Sequence, residues 1–453
     1  MAGGTWETQN KVRAGVYIRF RSAPSTEFAA GTRGTVAICE PLSWGPVGEV
    51  TEITASTDLS TITGYPLSDP HNRFLQEMFK GTNRTAGPET VLLYRPTGGG
   101  VAATNTIGNL SISAKYPGAR GNDIAILSIA NIDTNDYTIE TIVGGELVDA
   151  QTGSTVADLT NNAWVEFSGE GALEDSTGVY LTGGTDGSVS ASAYSSFLEA
   201  IEGYHFDILC YDGTNTDVIA AFVAFIKRIA SDNGQYAQLV AANLTSPDSR
   251  FVINVCIGEP GDNDPTIGVT LEDGTLLSPQ QVCWWVAGAE AGALYNQSLT
   301  YASYPGAIRV NPALNNQDSI AAINAGKFIL FNDHGGVKVE TDIDSLTTTT
   351  QDISAVFKKN RVMRLCNQIA NDIFTEFSNG YIGIVNNNEE GRSRFKAAVV
   401  GYMLDLEANN GIQNFDPDDV EVVAGSFIDA VVITIAIQVV DAAEKIYLTV
   451  EVA

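Results

Sequence analysis

The chain is poor in the residues from which most metal and acid–base sites are built. Histidine occurs three times in 453 residues, at His71, His205 and His334. None has another histidine or a cysteine at ligand spacing, which argues against zinc. The five cysteines (Cys39, Cys210, Cys256, Cys283, Cys366) are odd in number, scattered and never in a CxxC pair. That usage predicts reduced, mostly buried thiols in a protein folded in cytoplasm, and disfavours the secretory route. Positive charge is also scarce: 25 basic side chains against 54 acidic ones give a net charge of −29. Most of such a surface repels a phosphate backbone, so nucleic acid is not an expected partner. Long apolar runs are missing as well. The opening residues carry no signal-peptide core, and the longest apolar stretch, around 430–440, alternates like a strand, so no membrane insertion is expected.

Catalytic motifs are equally sparse. No G-x-S-x-G elbow surrounds a serine, and His205 sits where a strand is expected to begin. "NAGKF" (324–328) lacks the first glycine and the hydroxyl residue of a phosphate-binding loop. "GDNDPTIG" (261–268) has neither the central glycine nor the closing glutamate of a calcium loop, and "DPDDVE" (416–421) reads the same way, as a solvated acidic loop. The expectation is therefore no catalytic residues, no metal and no cofactor.

What is abundant is strand. In "VVITIAIQVVDAAEKIYLTVEVA" (431–453), Val431, Ile433, Ile435, Ile437 and Val439 alternate, and after Asp441 so do Ile446, Leu448, Val450 and Val452. Near the other end, Val12, Ala14, Val16, Ile18 and Phe20 share one face of "KVRAGVYIRFR" (11–21). Alternation at period two marks a half-buried strand. A strand at a chain end is an edge that invites a second chain to pair with it.

Between these ends, length alone suggests about three domains. Two glycine-rich brackets, "PTGGG" (96–100) and "LTGGTDG" (181–187), enclose short alternating segments separated by turn residues. This reads as a self-contained antiparallel sandwich inserted through flexible brackets. Beyond it, strands "FDILCYD" and "RFVINVCIG" alternate with helices at 217–234 and 278–295, which implies a mainly parallel sheet covered on both faces. A long helix is expected over 352–377, with Val362, Leu365, Ile369 and Ile373 as its apolar stripe and Arg361, Arg364, Gln368, Asn371 and Thr375 opposite. A helix around 394–409 and the paired terminal strands follow. Lys358, Lys359, Arg361 and Arg364 form the densest basic cluster in the chain.

Several phrases together resemble the sheath proteins of contractile phage tails and phage-tail-like bacteriocins. They are "YPGARGNDI" (116–124), "LTGGTDG", "WWVAGAEAGALYNQSLTYASYPGA" (284–307), "VETDIDSLTT" (339–348), "KKNRVMRLCNQIANDIF" (358–374), "YIGIVNNNEEGR" (381–392) and "DAAEKIYLTV" (441–450). The resemblance implies a multidomain α/β and α+β fold: an N-terminal strand arm (1–25), a first part of an α/β core (26–96), an inserted β-sandwich (97–186), a subtilisin-like α/β domain (187–342) and a C-terminal sheath domain with exchanged terminal strands (343–453). The fold label carries no protease activity, since the G-T-S-x-A nucleophile motif is absent.

By the same resemblance the chain polymerises with itself as stacked rings around an inner tail tube protein. It contracts to drive that tube through a bacterial envelope, with baseplate and tail terminator proteins as further partners, in a tail assembled in the host cytoplasm. Val12, Ala14, Val16, Ile18 and Phe20, and Ile446, Leu448, Val450 and Val452, are the expected exchanged strands. Lys358, Lys359, Arg361 and Arg364 are the expected tube contact, the alternative being a merely solvated helix face. A type VI secretion-like sheath, a surface or tail-fibre adhesin and a subtilisin-like hydrolase remain the alternatives.

Overall fold

Six apolar strands form the central sheet: β1 (Thr35–Cys39), β2 (Val50–Ile53), β3 (Thr90–Tyr94), β4 (Ile208–Cys210), β5 (Gln238–Ala242) and β6 (Val252–Val255). The computed structural model describes residues 33–259, 261 and 264–452, together with the backbone of 3–4 and 16–17. Strand order is β6-β5-β4-β1-β3-β2, parallel throughout except for β2, which runs antiparallel to β3 at the edge. The largely apolar runs of the five parallel strands follow from burial on both faces, whereas the edge strand β2, "VTEI", is only partly buried. Four helices take part in the cover: α1 (Arg73–Phe79), α2 (Ala191–Ile201), α3 (Thr216–Arg228) and α4 (Pro279–Gly292). Val36, Ile38, Val91, Leu93, Ile208 and Val240 pack with Phe74 and Leu75 of α1 and Val282 and Trp285 of α4. The alternate residues Ala37, Leu92, Leu209 and Leu239 pack with Phe197 of α2 and with Phe222 and Phe225 of α3.

The small residues of α4 have a steric cause. A Cβ at Gly288 would stand 2.0 Å from the carbonyl oxygen of Met78, so only glycine lets α1 lie this close. At its start, Ser278 accepts from the Gln281 amide while the Gln281 side chain accepts from the Ser278 amide, closing both ends of a capping box.

The inserted module is a sandwich of a four-stranded and a three-stranded antiparallel sheet, spanning Thr104–Ile107 to Ser176–Tyr180. Its glycine brackets are ordered. Gly99–Val101 pairs antiparallel with Thr185–Gly187, so both crossings of the chain form one narrow ribbon. Nor is the module self-contained. Trp44, from the loop after β1, is fully buried in the sandwich core against Trp164 (5.0 Å between centroids) and Tyr116 (5.4 Å). Arg95 donates to Gly45 O and Pro117 O, both at 2.7 Å, and Arg120 donates to Gly64 O at 2.9 Å, which fixes the base of the module on the loops beneath it. Gly118 adopts φ +142°, and a Cβ there would meet Ser43 O at 1.9 Å, a local reason for the glycine in "YPGARGNDI".

Three further helices follow: α5 (Asn316–Asn324), α6 (Asn360–Gly380) and α7 (Glu389–Ala408). Helix α6 begins at Asn360, later than expected, because 355–358 form a 3-10 turn instead. Helix α7 begins earlier, where Asn388 caps it by accepting from the Gly391 amide at 2.8 Å. The chain divides into two compact units, one holding 31–372 and 440–453, the other 373–439 with the first 30 residues. In the smaller unit, Phe377, Tyr381 and Phe395 stack into an aromatic cluster, and Val399, Tyr402, Met403 and Leu406 of α7 are buried. Val431–Ile435 pairs antiparallel with Val420–Ala424, and Gln438–Val439 with Ile412–Gln413. Asp416 and Asp419 exchange hydrogen bonds with the backbone of the turn between them, so "DPDDVE" is a capped turn.

Candidate functional site at the root of the C-terminal arm

Residues 440–452 form no ladder with any described strand. Ile446, Leu448, Val450 and Val452 are 86%, 83%, 72% and 92% exposed, the positions at which the alternation calls for burial. Their intervening neighbour Tyr447 is as exposed, at 91%. Such a row of apolar side chains in water is costly to leave open and marks an interaction segment. For the N-terminal segment, Val12, Ala14, Ile18 and Phe20 lie outside the described residues. The backbone of Val16–Tyr17 pairs in parallel with Gly3–Gly4.

Just before the exposed run, Glu444 holds the chain to the core. Its carboxylate accepts from Thr300 Oγ1 at 2.7 Å and from Lys359 Nζ. Thr300 Oγ1 in turn accepts from the Asp342 amide at 2.9 Å. Asp342 leads inward. Its Oδ2 accepts from Arg364 Nη2 at 2.8 Å and from the Leu299 amide at 2.9 Å, and its Oδ1 from Asn360 Nδ2 at 2.9 Å. Arg364 also donates to Glu290 and, at 2.6 Å, to the carbonyl of Gln297. A polar chain thus runs from the last turn of α4 to the arm.

Charge in this chain is balanced by proton placement. Burial, then the repulsion of Asp342, holds the Glu290 carboxyl well above the usual carboxylate range, so it is the protonated member. Burial alone would raise Asp342 too, but Arg364 and the surrounding donors pull it below its ordinary value. The Arg364 guanidinium, which burial alone would make less basic, is held above its ordinary value by Asp342 and Glu290. One guanidinium, one carboxylate and one neutral acid sum to zero charge, which a dry interior tolerates.

This corrects the basic-face expectation. Arg364 is fully buried and Arg361 is 8% exposed, with Gln368, Asn371 and Asp372 buried beside them, so the polar stripe of α6 faces protein as far as 372, while Thr375 is exposed. Lys358 Nζ donates to Ile323 O at 2.6 Å, Lys359 binds Glu444, and Asp441 is the first charge supporting the buried Arg361. Arg361 and Arg364 are thus not on a solvated face, while Lys358 and Lys359 are half-buried. The amphipathic pattern separates two sides of a helix; it does not say whether the polar side meets water or buried carboxylates. The signal that could have revealed this is Glu290, a lone acid within "WWVAGAEAGALY", which needs an internal partner.

The carboxyl end of the sheet, at the switch point between β1 and β4, carries a second acidic pair, Glu40 and Asp212. Trp284 Nε1 donates to Asp212 Oδ2 at 2.8 Å. Burial, then Asp212, pushes the Glu40 carboxyl well above its usual range, and burial also raises Asp212. Among the described residues, no group of three or more His, Cys, Asp or Glu gathers at metal-binding distance, and no helix is long and apolar enough to cross a membrane. All five cysteines are free.

The comparisons with known proteins give the family. The phage tail sheath central domain matches 187–345, its C-terminal domain 352–453, the sheath β-sandwich domain 98–186, and the N-terminal region of sheath domain III 33–95. The chain is 35% identical to the uncharacterised protein YqbK of Bacillus subtilis and 34% identical to protein XkdK of the phage-like element PBSX from the same organism, each over 100% of both chains. The crystal structure of the sheath tail protein of Desulfitobacterium hafniense superposes with a TM-score of 0.83 at 39% identity, covering 96% of this chain and 99% of that one. The chain belongs to the phage contractile-tail sheath family, and it is a structural component of a phage tail or phage-like particle.

Proposed function

We propose that this chain is the repeating subunit of a sheath that stacks as rings around an inner tube and contracts to drive the tube through a bacterial envelope. Its partners are then other copies of itself, the tube protein, and baseplate and terminator proteins at the two ends, with assembly in the host cytoplasm. The six-stranded α/β unit serves as a subtilisin-like scaffold rather than a catalyst. The observation that carries the reading is the unpaired run from Ile446 to Val452, whose apolar face is open to solvent.

Lent to a neighbouring copy, this run completes a sheet by β-augmentation. The N-terminal segment around Val12, Ala14, Val16, Ile18 and Phe20 is proposed to be lent in the same way. A strand of about six residues adds roughly six backbone hydrogen bonds at about 1 kcal/mol each. Links of that strength survive while the bodies they join rearrange, which is what contraction demands. The experiment is truncation of residues 446–453, followed by negative-stain microscopy. The shortened chain is expected to stay folded and soluble and to form no tubes. Long regular tubes from the truncated chain would sink the strand-lending reading.

A further inference from the structure

We propose that Glu444 is a releasable clamp that sets the free length of the C-terminal arm. The inference deepens the strand-lending reading and rests on it. Three observations meet at this residue. Among the described residues Glu444 is the last with a side-chain bond to the core, through Thr300 and Lys359, and every described residue after it is exposed. Both partners are held from behind: Thr300 by the Asp342 amide, and Lys359 by its place one residue before the buried start of α6. The clamp side chains are largely but not fully covered, Glu444 at 14% and Lys359 at 24% exposed, so the pair still reaches water where the exposed run begins.

The consequence is geometric. With Glu444 held, the free arm starts at Lys445 and its eight described residues (445–452) reach at most about 26 Å when extended. With Glu444 released and Asp441 drawn away from Arg361, the thirteen residues 440–452 that follow the last described ladder residue, Val439, extend to about 43 Å. Release therefore adds five residues, roughly 17 Å of extended chain, to the free arm while leaving the run of Ile446 to Val452 untouched. A single lysine–carboxylate pair can part under load at the cost of wetting two mostly covered charges, and re-forms because Lys359 and Thr300 remain in place. Asp441, which supports the buried Arg361, lies within the segment that would be freed.

Trypsin provides the test, since Lys445 lies directly after the clamp and cleavage there removes residues 446–453. Unassembled full-length chain is digested briefly, and the 1–445 product is followed by intact mass. Glu444→Gln and Lys359→Met are each expected to speed this cleavage about tenfold. The double variant should be no faster than either alone, because both remove the same contact. Thr300→Val, which deletes only the hydroxyl, should give a smaller increase. Unchanged cleavage in the single variants, or effects that multiply in the double one, would overturn the clamp. The two proposals separate cleanly. Tubes formed by the chain lacking 446–453 refute strand lending even where Glu444→Gln frees the arm. Unchanged cleavage refutes the clamp even where truncation abolishes tubes.

Discussion

If the arm is lent as a strand, its two faces must differ in assembly although they are alike in the free chain. Leu448 and Thr449 are adjacent and both exposed. Leu448→Ala removes three carbon groups from the face with Ile446, Val450 and Val452, worth about 2 kcal/mol if that face is buried in a partner. The expected result is a critical concentration for polymerisation raised roughly 30-fold, since 1.4 kcal/mol corresponds to a factor of about ten. Thr449→Ala, on the opposite face, should change it by less than about threefold. Leu448→Asp should prevent assembly, because it places a charge in the shared sheet. Neither alanine variant should move the denaturation midpoint of the unassembled chain, as both side chains are already in water. Sedimentation of polymer across a concentration series measures the first quantity, and urea titration the second. Equal penalties at 448 and 449, or none at either, would refute pairing of this segment as a strand.

Two further outcomes concern the interior. Arg364→Met leaves Asp342 buried without its cation and is expected to destabilise the larger unit by about 3–5 kcal/mol, read by urea titration; a loss below about 1 kcal/mol would mean that the ion pair does not hold this region. Glu40 has its folded-state pKa raised, so its contribution to stability is complete below the ordinary value of 4.5 and is lost as pH rises toward the folded value. Glu40→Gln should therefore match the wild type near pH 4 and become the more stable protein by pH 8, in melting curves collected across that range; the reverse trend would show that Glu40 is ionised in the fold.

The sequence exposed the strands and most helices because burial on one or two faces leaves a period that can be counted. The six-stranded sheet follows from such runs as "TVAIC" and "TVLLY", and α3 from its amphipathic spacing. The helix limits moved where capping outweighed periodicity, at Asn388 for α7. Pattern could not place the partners of Arg364, since Glu290 lies 74 residues away and Asp342 lies 22 away. Charge on a helix was therefore assigned to the surface by default, and here that default failed. The arm has the alternation of a strand, and no described strand of this chain pairs with it.

Trp44 gives the inserted sandwich an unusual dependence. The indole that closes the sandwich core is encoded more than fifty positions before the first glycine bracket closes around the module's own strands, in a loop belonging to the sheet below. The module and its host therefore share a keystone. Recombination that swaps 98–186 between related chains must bring along a sandwich already shaped to a tryptophan from outside, or it leaves an indole-sized hole in one partner and a stranded aromatic on the other. Surface variety in this part of the molecule is free to drift on the outer strands, while the floor around Trp164 and Tyr116 stays bound to a residue it does not own.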